Sequence, residues 1–568
     1  MYSDFGVHNC DDGLSPLLKM SHTVVRGKPN AAQLYIDGVL DAILTEQGVK
    51  PDPTTRATVT FPQIMLHCLK ERPNDEFMTN GATGEVITND QHLRHAISLA
   101  RSLTAQGAKG KYGMLLMRNH QDTAAVYFAS LFSGMISFMM DPNTTAYELT
   151  HFLKLIEPSY IFYDQEFHEI LQEALKSCPS LSPVTVMADQ PGTLKKFAQG
   201  HSDEVEGFKV PPADIDDPIM LLPTSGSTGI PKAAIMTHRG FVTQVATPWT
   251  YHTQFPTPTA RTLVLTSIQW VTFTMFVTTS VAHHIPIVMT PKKITPEHVI
   301  ELMEKYRPTW AYLSPSFAVT LVPLVRPDQM SSIQTMFLLG SPSTPELMAS
   351  LLEKLPKNCH LCDGFGTTET HGLVAIPDRE APLKSNGWLL NFVDYKIIDE
   401  SGQELVGPNQ TGELWIKSSC TIKGYLKNQA SFDETFTPDG WYMTGDVFHV
   451  DENHRISFAI RKKFSFKFRG CHVAPEEVER VIGSVPGVYE SVVCSSDNGP
   501  VAAVVLKPGA DVTREHIHKA VEATLSDHKR LHGGIAFVTS LPHTHSGKLK
   551  RNDCSKLIAD LLKRGECI

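Results

Sequence analysis

Nine residues, Thr224-Ser225-Gly226-Ser227-Thr228-Gly229-Ile230-Pro231-Lys232, gather four hydroxyls, two glycines and one lysine. Glycine lets a backbone approach an anion closely, amide N–H groups and hydroxyls donate to phosphate oxygens, and a lysine adds charge. Together these types can hold the polyphosphate of a nucleotide. The order is not that of a Walker A loop, which places Gly-Lys-Ser/Thr after a four-residue spacer. The apolar run Pro218-Ile219-Met220-Leu221-Leu222 stands just before it and predicts a buried strand feeding the loop. By composition alone, a Ser/Gly cluster is equally a flexible turn.

The order Thr-Ser-Gly-Ser-Thr-Gly-x-Pro-Lys is more restrictive than its composition. It resembles the phosphate loop of the adenylate-forming superfamily, which includes acyl-CoA synthetases, adenylation domains and firefly luciferase. Five further segments follow in that family's order. Gly340-Ser341-Pro342 falls where the family keeps a small-residue loop against the nucleotide and the acyl pocket. Gly364-Phe365-Gly366-Thr367-Thr368-Glu369 is similar to its aromatic-Gly-x-Thr-Glu signature. There the ring can stack on adenine, the Thr368 hydroxyl can reach the α-phosphate, and the Glu369 carboxylate can hold Mg²⁺ beside phosphates. Thr444-Gly445-Asp446 matches a motif whose aspartate accepts hydrogen bonds from ribose hydroxyls.

Arg461-Lys462-Lys463, followed by Lys467 and then by Pro475-Glu476-Glu477-Val478-Glu479, resembles the family's hinge and the opening of its C-terminal domain. The resemblance implies that Arg461 contacts the ribose and Lys463 is the hinge. It also implies that the face carrying Lys467 meets the second half-reaction. Ser546-Gly547-Lys548 is similar to the terminal Gly-Lys motif, whose lysine reaches the acyl carboxylate and the phosphate. Two positions depart from the pattern: Ile460 replaces an aspartate that would help fix Arg461, and His454 stands where glycine is common.

The resemblance implies an acid–thiol ligase that uses ATP, Mg²⁺ and coenzyme A. Such an enzyme makes an acyl-adenylate with release of pyrophosphate, then a thioester. No acidic residue occurs in Ser267-Ile268-Gln269-Trp270-Val271-Thr272-Phe273, where amino-acid-activating relatives keep an aspartate, so amino-acid substrates are disfavoured. Trp270 and Phe273 are candidate pocket residues suited to a fatty or aryl acid, with the fatty acid preferred. A luciferase-like oxygenase, an acyl-AMP ligase serving a separate carrier protein and a non-catalytic nucleotide binder stay open as alternatives.

Composition agrees with a soluble globular enzyme. The net charge of −9 and the lack of a basic patch argue against nucleic-acid binding. The ten cysteines are scattered, and Cys359-His360-Leu361-Cys362 has no second pair at zinc spacing, so it reads as part of a strand. Neither terminus reads as a signal peptide, transit peptide or SKL-type signal, which predicts a cytoplasmic enzyme compatible with peripheral membrane association. The apolar runs 124–140 and 263–289 read as buried core rather than membrane spans, and oligomeric state is not encoded in any recognisable pattern.

The elements that must position these residues follow from periodicity. Helical and strand patterns alternate from residue 96 to 163 and again from 299 to 354. That alternation predicts right-handed crossovers and an α/β fold. The expected architecture is a large N-terminal domain with mostly parallel sheets flanked by helices, plus a small mobile α+β C-terminal domain. Expected boundaries are an N-terminal extension over 1–53, an adenylation domain over 54–462 and the C-terminal domain over 463–568.

Overall fold

A computed structural model describes residues 31–224, 232–247, 260–461, 464, 466–468, 471–473, 475–525, 527–543 and 549–567. Short apolar runs become strands whose alternate side chains enter different cores, as the two-residue period of a strand dictates. Leu115 joins a central core, while Met114 and Leu116 join an outer one. Likewise Phe337 faces inward, and Met336 and Leu338 face a second outer core. Sheets covered on both faces should be largely parallel, and these are.

One sheet has six strands, in the order Val184–Met187, Tyr160–Tyr163, Tyr112–Leu116, Ile136–Met139, Pro218–Thr224 and Lys232–Thr237. Its first five strands are parallel, and the last pair is an antiparallel hairpin. The other sheet has seven, in the order His360–Asp363, Thr335–Leu338, Trp310–Leu313, Thr262–Leu263, Ile287–Met289, Glu76–Asn80 and Val86–Thr88. Only its last pair is antiparallel.

Helices Gln121–Ser133 and Val271–Ala282 share the central core with both sheets and are buried nearly all round. This is what a helix apolar on every face requires. It also explains the two long apolar runs, and among the described residues no helix is long and apolar enough to cross a membrane. The first helix of the alternating region starts at Asn89, earlier than the apolar period predicts, because a cap sets its start. Thr88 accepts from the Gln91 amide, and the Gln91 side chain reaches back to the Thr88 amide. Helix Ala31–Glu46 lies in the stretch expected as an extension, and it buries Ile36, Val39, Ile43 and Leu44 in the central core.

An antiparallel five-stranded sheet follows, in the order Glu404–Leu405, Val393–Ile398, Gln410–Ser418, Tyr442–Val450 and Ile456–Arg461. The C-terminal part folds around two cores of its own. Helices Pro475–Gly483, Arg514–Thr524 and Arg551–Lys563 cover the strands Val488–Ser496, Gly499–Leu506 and Ile535–Phe537. The fold is therefore the expected α/β architecture, with a large N-terminal part and a smaller α+β C-terminal one. Cys362 lies in strand His360–Asp363 and Cys359 just before it, both free and buried, which agrees with the strand reading of the CxxC.

Candidate active site

Three of the segments singled out in the sequence leave parallel strands at the same edge of the seven-stranded sheet. Gly340-Ser341-Pro342 follows Thr335–Leu338, Gly364 to Glu369 follows His360–Asp363, and Trp270 comes after Thr262–Leu263. Ligands of open α/β sheets bind at the carboxyl ends of strands. Gly340 has φ +96°, which turns the chain sharply off its strand. At Gly366 a Cβ would lie 2.1 Å from the Gly372 carbonyl oxygen, so only glycine allows the Phe365–Thr367 strand to pair so closely. Phe365 meets Phe448 edge to face, with centroids 4.7 Å apart. The hydroxyl of Thr368 makes no hydrogen bond among the described residues, so its donor is available to a ligand.

Thr224 and Lys232 are paired across the hairpin, and they bring both ends of the phosphate-type loop together. Residues 225–231, which include Ser225, Gly226, Ser227, Thr228 and Gly229, lie outside the described residues. Lys232 is only 7% exposed, yet among the described residues its ammonium has no carboxylate partner. Its Nζ instead lies 4.8 Å from the centroid of the Tyr425 ring. The Tyr425 hydroxyl donates to Glu369 Oε1 at 2.8 Å. Burial and, after it, the Glu369 charge push the Tyr425 pKa upward, so the hydroxyl keeps its proton. A buried cation awaiting an anion, next to a carboxylate with oxygens to spare, fits a polyphosphate and its Mg²⁺.

His371 ties this corner together. Its Nε2 accepts from the Thr237 amide at 2.9 Å and its Nδ1 donates to the Cys420 carbonyl at 2.6 Å. Complete burial pushes its pKa down to about 3, which matches the neutral tautomer these two bonds require. Gln244 adds bonds to the carbonyls of Thr370 and Leu373.

On the other side, Asp446 and Arg461 stand opposite one another on adjacent strands. The guanidinium grips the carboxylate in a bidentate pair of 2.7 and 2.9 Å. Asp446 thus does the fixing that Ile460 cannot, which resolves that departure from the family pattern. His454, with φ +59°, adopts the left-handed conformation that a glycine would take in the turn between Val450 and Ile456. Both departures are accommodated by the fold.

Trp270 is half-buried at the start of helix Val271–Ala282, while Phe273 is fully buried and meets Tyr127 edge-on at 6.0 Å. Lys467 lies in a two-stranded ribbon opposite His472. Lys463 and Lys548 lie outside the described residues. Sequence reading missed Tyr425, His371 and Gln244. The Lys423-Gly424-Tyr425 run carries no chemistry-bearing pattern by itself, and His371, two residues past Glu369, has no spacing that marks it.

Comparison with known proteins agrees with this geometry. The profile of the family described as AMP-binding enzyme matches residues 67–426, and that of the AMP-binding enzyme C-terminal domain matches residues 477–548. A 4-coumarate–CoA ligase-like protein of Arabidopsis thaliana is 26% identical over 85% of this chain and 87% of its own length. A peroxisomal OPC-8:0-CoA ligase of the same plant is 26% identical over 89% of this chain and 94% of its own. Among solved structures, ATP-bound MatB from Rhodopseudomonas palustris superposes with a TM-score of 0.79 at 22% identity, covering 89% of this chain and all of its own. The anthranilate CoA ligase AuaEII in complex with anthranoyl-AMP gives 0.80 at 21% identity, over 89% of this chain and 98% of its own. With its family match spanning more than half its length, and its phosphate, base and ribose candidates arranged as described, the chain belongs to the AMP-binding enzyme family.

Proposed function

We propose that this protein activates a fatty or aryl carboxylic acid as its acyl-adenylate and passes the acyl group to coenzyme A. The observation that carries the reading is the buried Lys232, without a carboxylate partner among the described residues, set beside Glu369 at the strand ends. The apolar helix Val271–Ala282, entered past Trp270, supports an acid with an apolar body. The names of the relatives, which include coumarate, OPC-8:0 and anthranilate ligases, point the same way.

A carboxylate is a poor acylating agent because its oxygen leaves badly. Its attack on the α-phosphate needs positioning and neutralised charge more than a base, since the nucleophile is already ionised. Thr224 and Lys232, at the two ends of the loop, hold the phosphates, and Thr368 donates to the α-phosphate. Glu369 would hold Mg²⁺, which would supply neutralisation of phosphate charge. Asp446 and Arg461 hold the ribose, and Phe365 stacks on the base. Lys548 bridges the acid and the phosphate, and Lys463 and Lys467 serve the swing that admits the thiol.

Incubation with ATP, Mg²⁺, coenzyme A and a pool of fatty, aryl and short acids should yield an acyl-CoA and AMP by mass spectrometry. Lys548→Ala should slow adenylate formation by about 10²–10³ while sparing thioester formation from supplied acyl-adenylate. Equal loss of both half-reactions would remove that assignment. Adenylate without thioester would replace coenzyme A by another acceptor.

A further inference from the structure

We infer that Tyr425 is a positioning residue of the adenylation site: it orients the Glu369 carboxylate and keeps the Lys232 ammonium apart from it. This rests on the roles proposed above for Glu369 and Lys232. The segment Lys423–Leu426 was not expected to take part in the site. Its backbone is nevertheless laced to both neighbours. The Ile235 amide donates to the Gly424 carbonyl and the Leu426 amide to the Ala233 carbonyl, so the segment pairs with the strand leaving the phosphate-type loop. The Ile422 amide donates to the Glu369 carbonyl, which fixes the same segment to the acidic turn.

Tyr425 reaches out of this segment with both ends of its side chain engaged. The hydroxyl takes one oxygen of Glu369, and the ring face receives the Lys232 ammonium. A core tyrosine needs only some acceptor for its hydroxyl, and a carbonyl would do. Here the acceptor is the carboxylate assigned to the metal, and the ring carries the lysine assigned to the phosphates. In a buried corner, an ammonium and a carboxylate left free would approach and neutralise one another. That pairing would consume the charges the substrate needs. A ring face attracts a cation without cancelling its charge, and a phenol hydroxyl holds a carboxylate without adding charge. Tyr425 thus acts as a spacer. It keeps one positive and one negative group close, oriented and unpaired before ATP and its metal arrive, and preorganisation of this kind removes reorganisation at the moment of reaction. The His371 and Gln244 bonds hold the three segments in register around it.

The test is titration calorimetry of the full-length protein with a non-hydrolysable ATP analogue, with and without Mg²⁺, so that no turnover is needed. Tyr425→Phe keeps the ring and removes the hydroxyl. It should raise the Mg²⁺ concentration needed for half-maximal tightening of nucleotide binding by about tenfold, with metal-free binding unchanged. Tyr425→Leu removes the spacer as well and should also weaken metal-free binding, as Lys232 pairs with Glu369. Tyr425→His, which retains a ring and an N–H donor, should recover part of the metal response. It carries the same test if the phenylalanine variant does not fold. A Tyr425→Phe protein with the wild-type Mg²⁺ requirement overturns the spacer role and leaves the acyl-CoA synthetase reading intact. A wild-type protein that binds no nucleotide overturns both.

Discussion

Arg461 and Arg551 are both held by bidentate carboxylates, but in different surroundings. The Arg461 side chain is 50% exposed although its partner Asp446 is 1% exposed. The Arg551 side chain is 14% exposed, between Glu479 at 13% and Glu476 at 17%. Arg551 binds Glu479 through two bonds of 2.9 and 2.7 Å, and its guanidinium lies over the Phe464 ring. Glu479 also accepts from the Val493 amide. The second arrangement is closed: it joins helix Pro475–Gly483, strand Val488–Ser496 and helix Arg551–Lys563, and little of it faces outward. The first is half open. An arginine has five donors, and two of those on Arg461 are spent on Asp446, while the others make no hydrogen bond among the described residues. A closed ion pair is part of the fold, whereas a half-open one keeps a face toward the outside.

The largest expected effect is on the closed pair. Removing one partner of a buried pair leaves the other charge uncompensated, at a cost of about 3–5 kcal/mol. Arg551→Ala should therefore lower the stability of the C-terminal part by that amount in urea unfolding. Arg461→Ala removes a half-exposed cation but leaves the buried Asp446 without its partner, so it should cost less than Arg551→Ala and more than the loss of a surface pair. Equal losses in the two variants would break the contrast.

Asp363 sharpens the contrast from the other side, as a carboxylic acid with no cation among the described residues. It ends the strand that leads into Gly364 and is nearly fully buried. Burial raises its pKa from 3.8 to about 7, with the neighbouring Ser343 opposing the shift. The sign follows from which state ionises first. Below the unfolded value both states are protonated and the group has no effect on stability. As pH rises from about 4 to about 7 the unfolded chain ionises first, so stability falls, and above about 7 the loss is complete. Asp363→Asn should gain on the wild type across that window, by up to about 4 kcal/mol in thermal or urea unfolding between pH 4 and pH 8. A difference that does not vary with pH would mean that Asp363 stays ionised.

Much of this was legible in the sequence because it is local. Strands Trp310–Leu313 and Tyr160–Tyr163 are apolar runs with no competing pattern, and both lie inside the two stretches where alternation was expected. The acidic turn at Thr368–Thr370 and the Asp446 strand were recognisable because their chemistry sits in consecutive residues. What was not legible depends on pairing across long sequence distance. Tyr425 reaches Glu369 across 56 positions, and His371 reaches Thr237 across 134. Neither has a periodic or compositional mark. The bond between Asp446 and Arg461 also came from register: opposition on adjacent strands makes up for Ile460, and no reading of either segment alone shows it.

The smallest effect is the most specific. Arg461→Lys keeps the charge but loses the planar fork, so the bidentate grip on Asp446 becomes a single contact. Stability should barely change, because the side chain is half in water. If the remaining Arg461 donors serve the ribose, the KM for ATP should rise about fivefold, with kcat for adenylation nearly unchanged, since one ground-state contact near 1 kcal/mol is lost. The decisive comparison is between ATP and its 2′-deoxy analogue. A wild-type enzyme that uses its ribose contacts should prefer ATP, and the lysine variant should show a reduced preference. If the variant discriminates as well as the wild type, Asp446 alone reads the ribose. Arg461 would then be, like Arg551, a partner that serves its carboxylate, and exposure would cease to separate the two pairs.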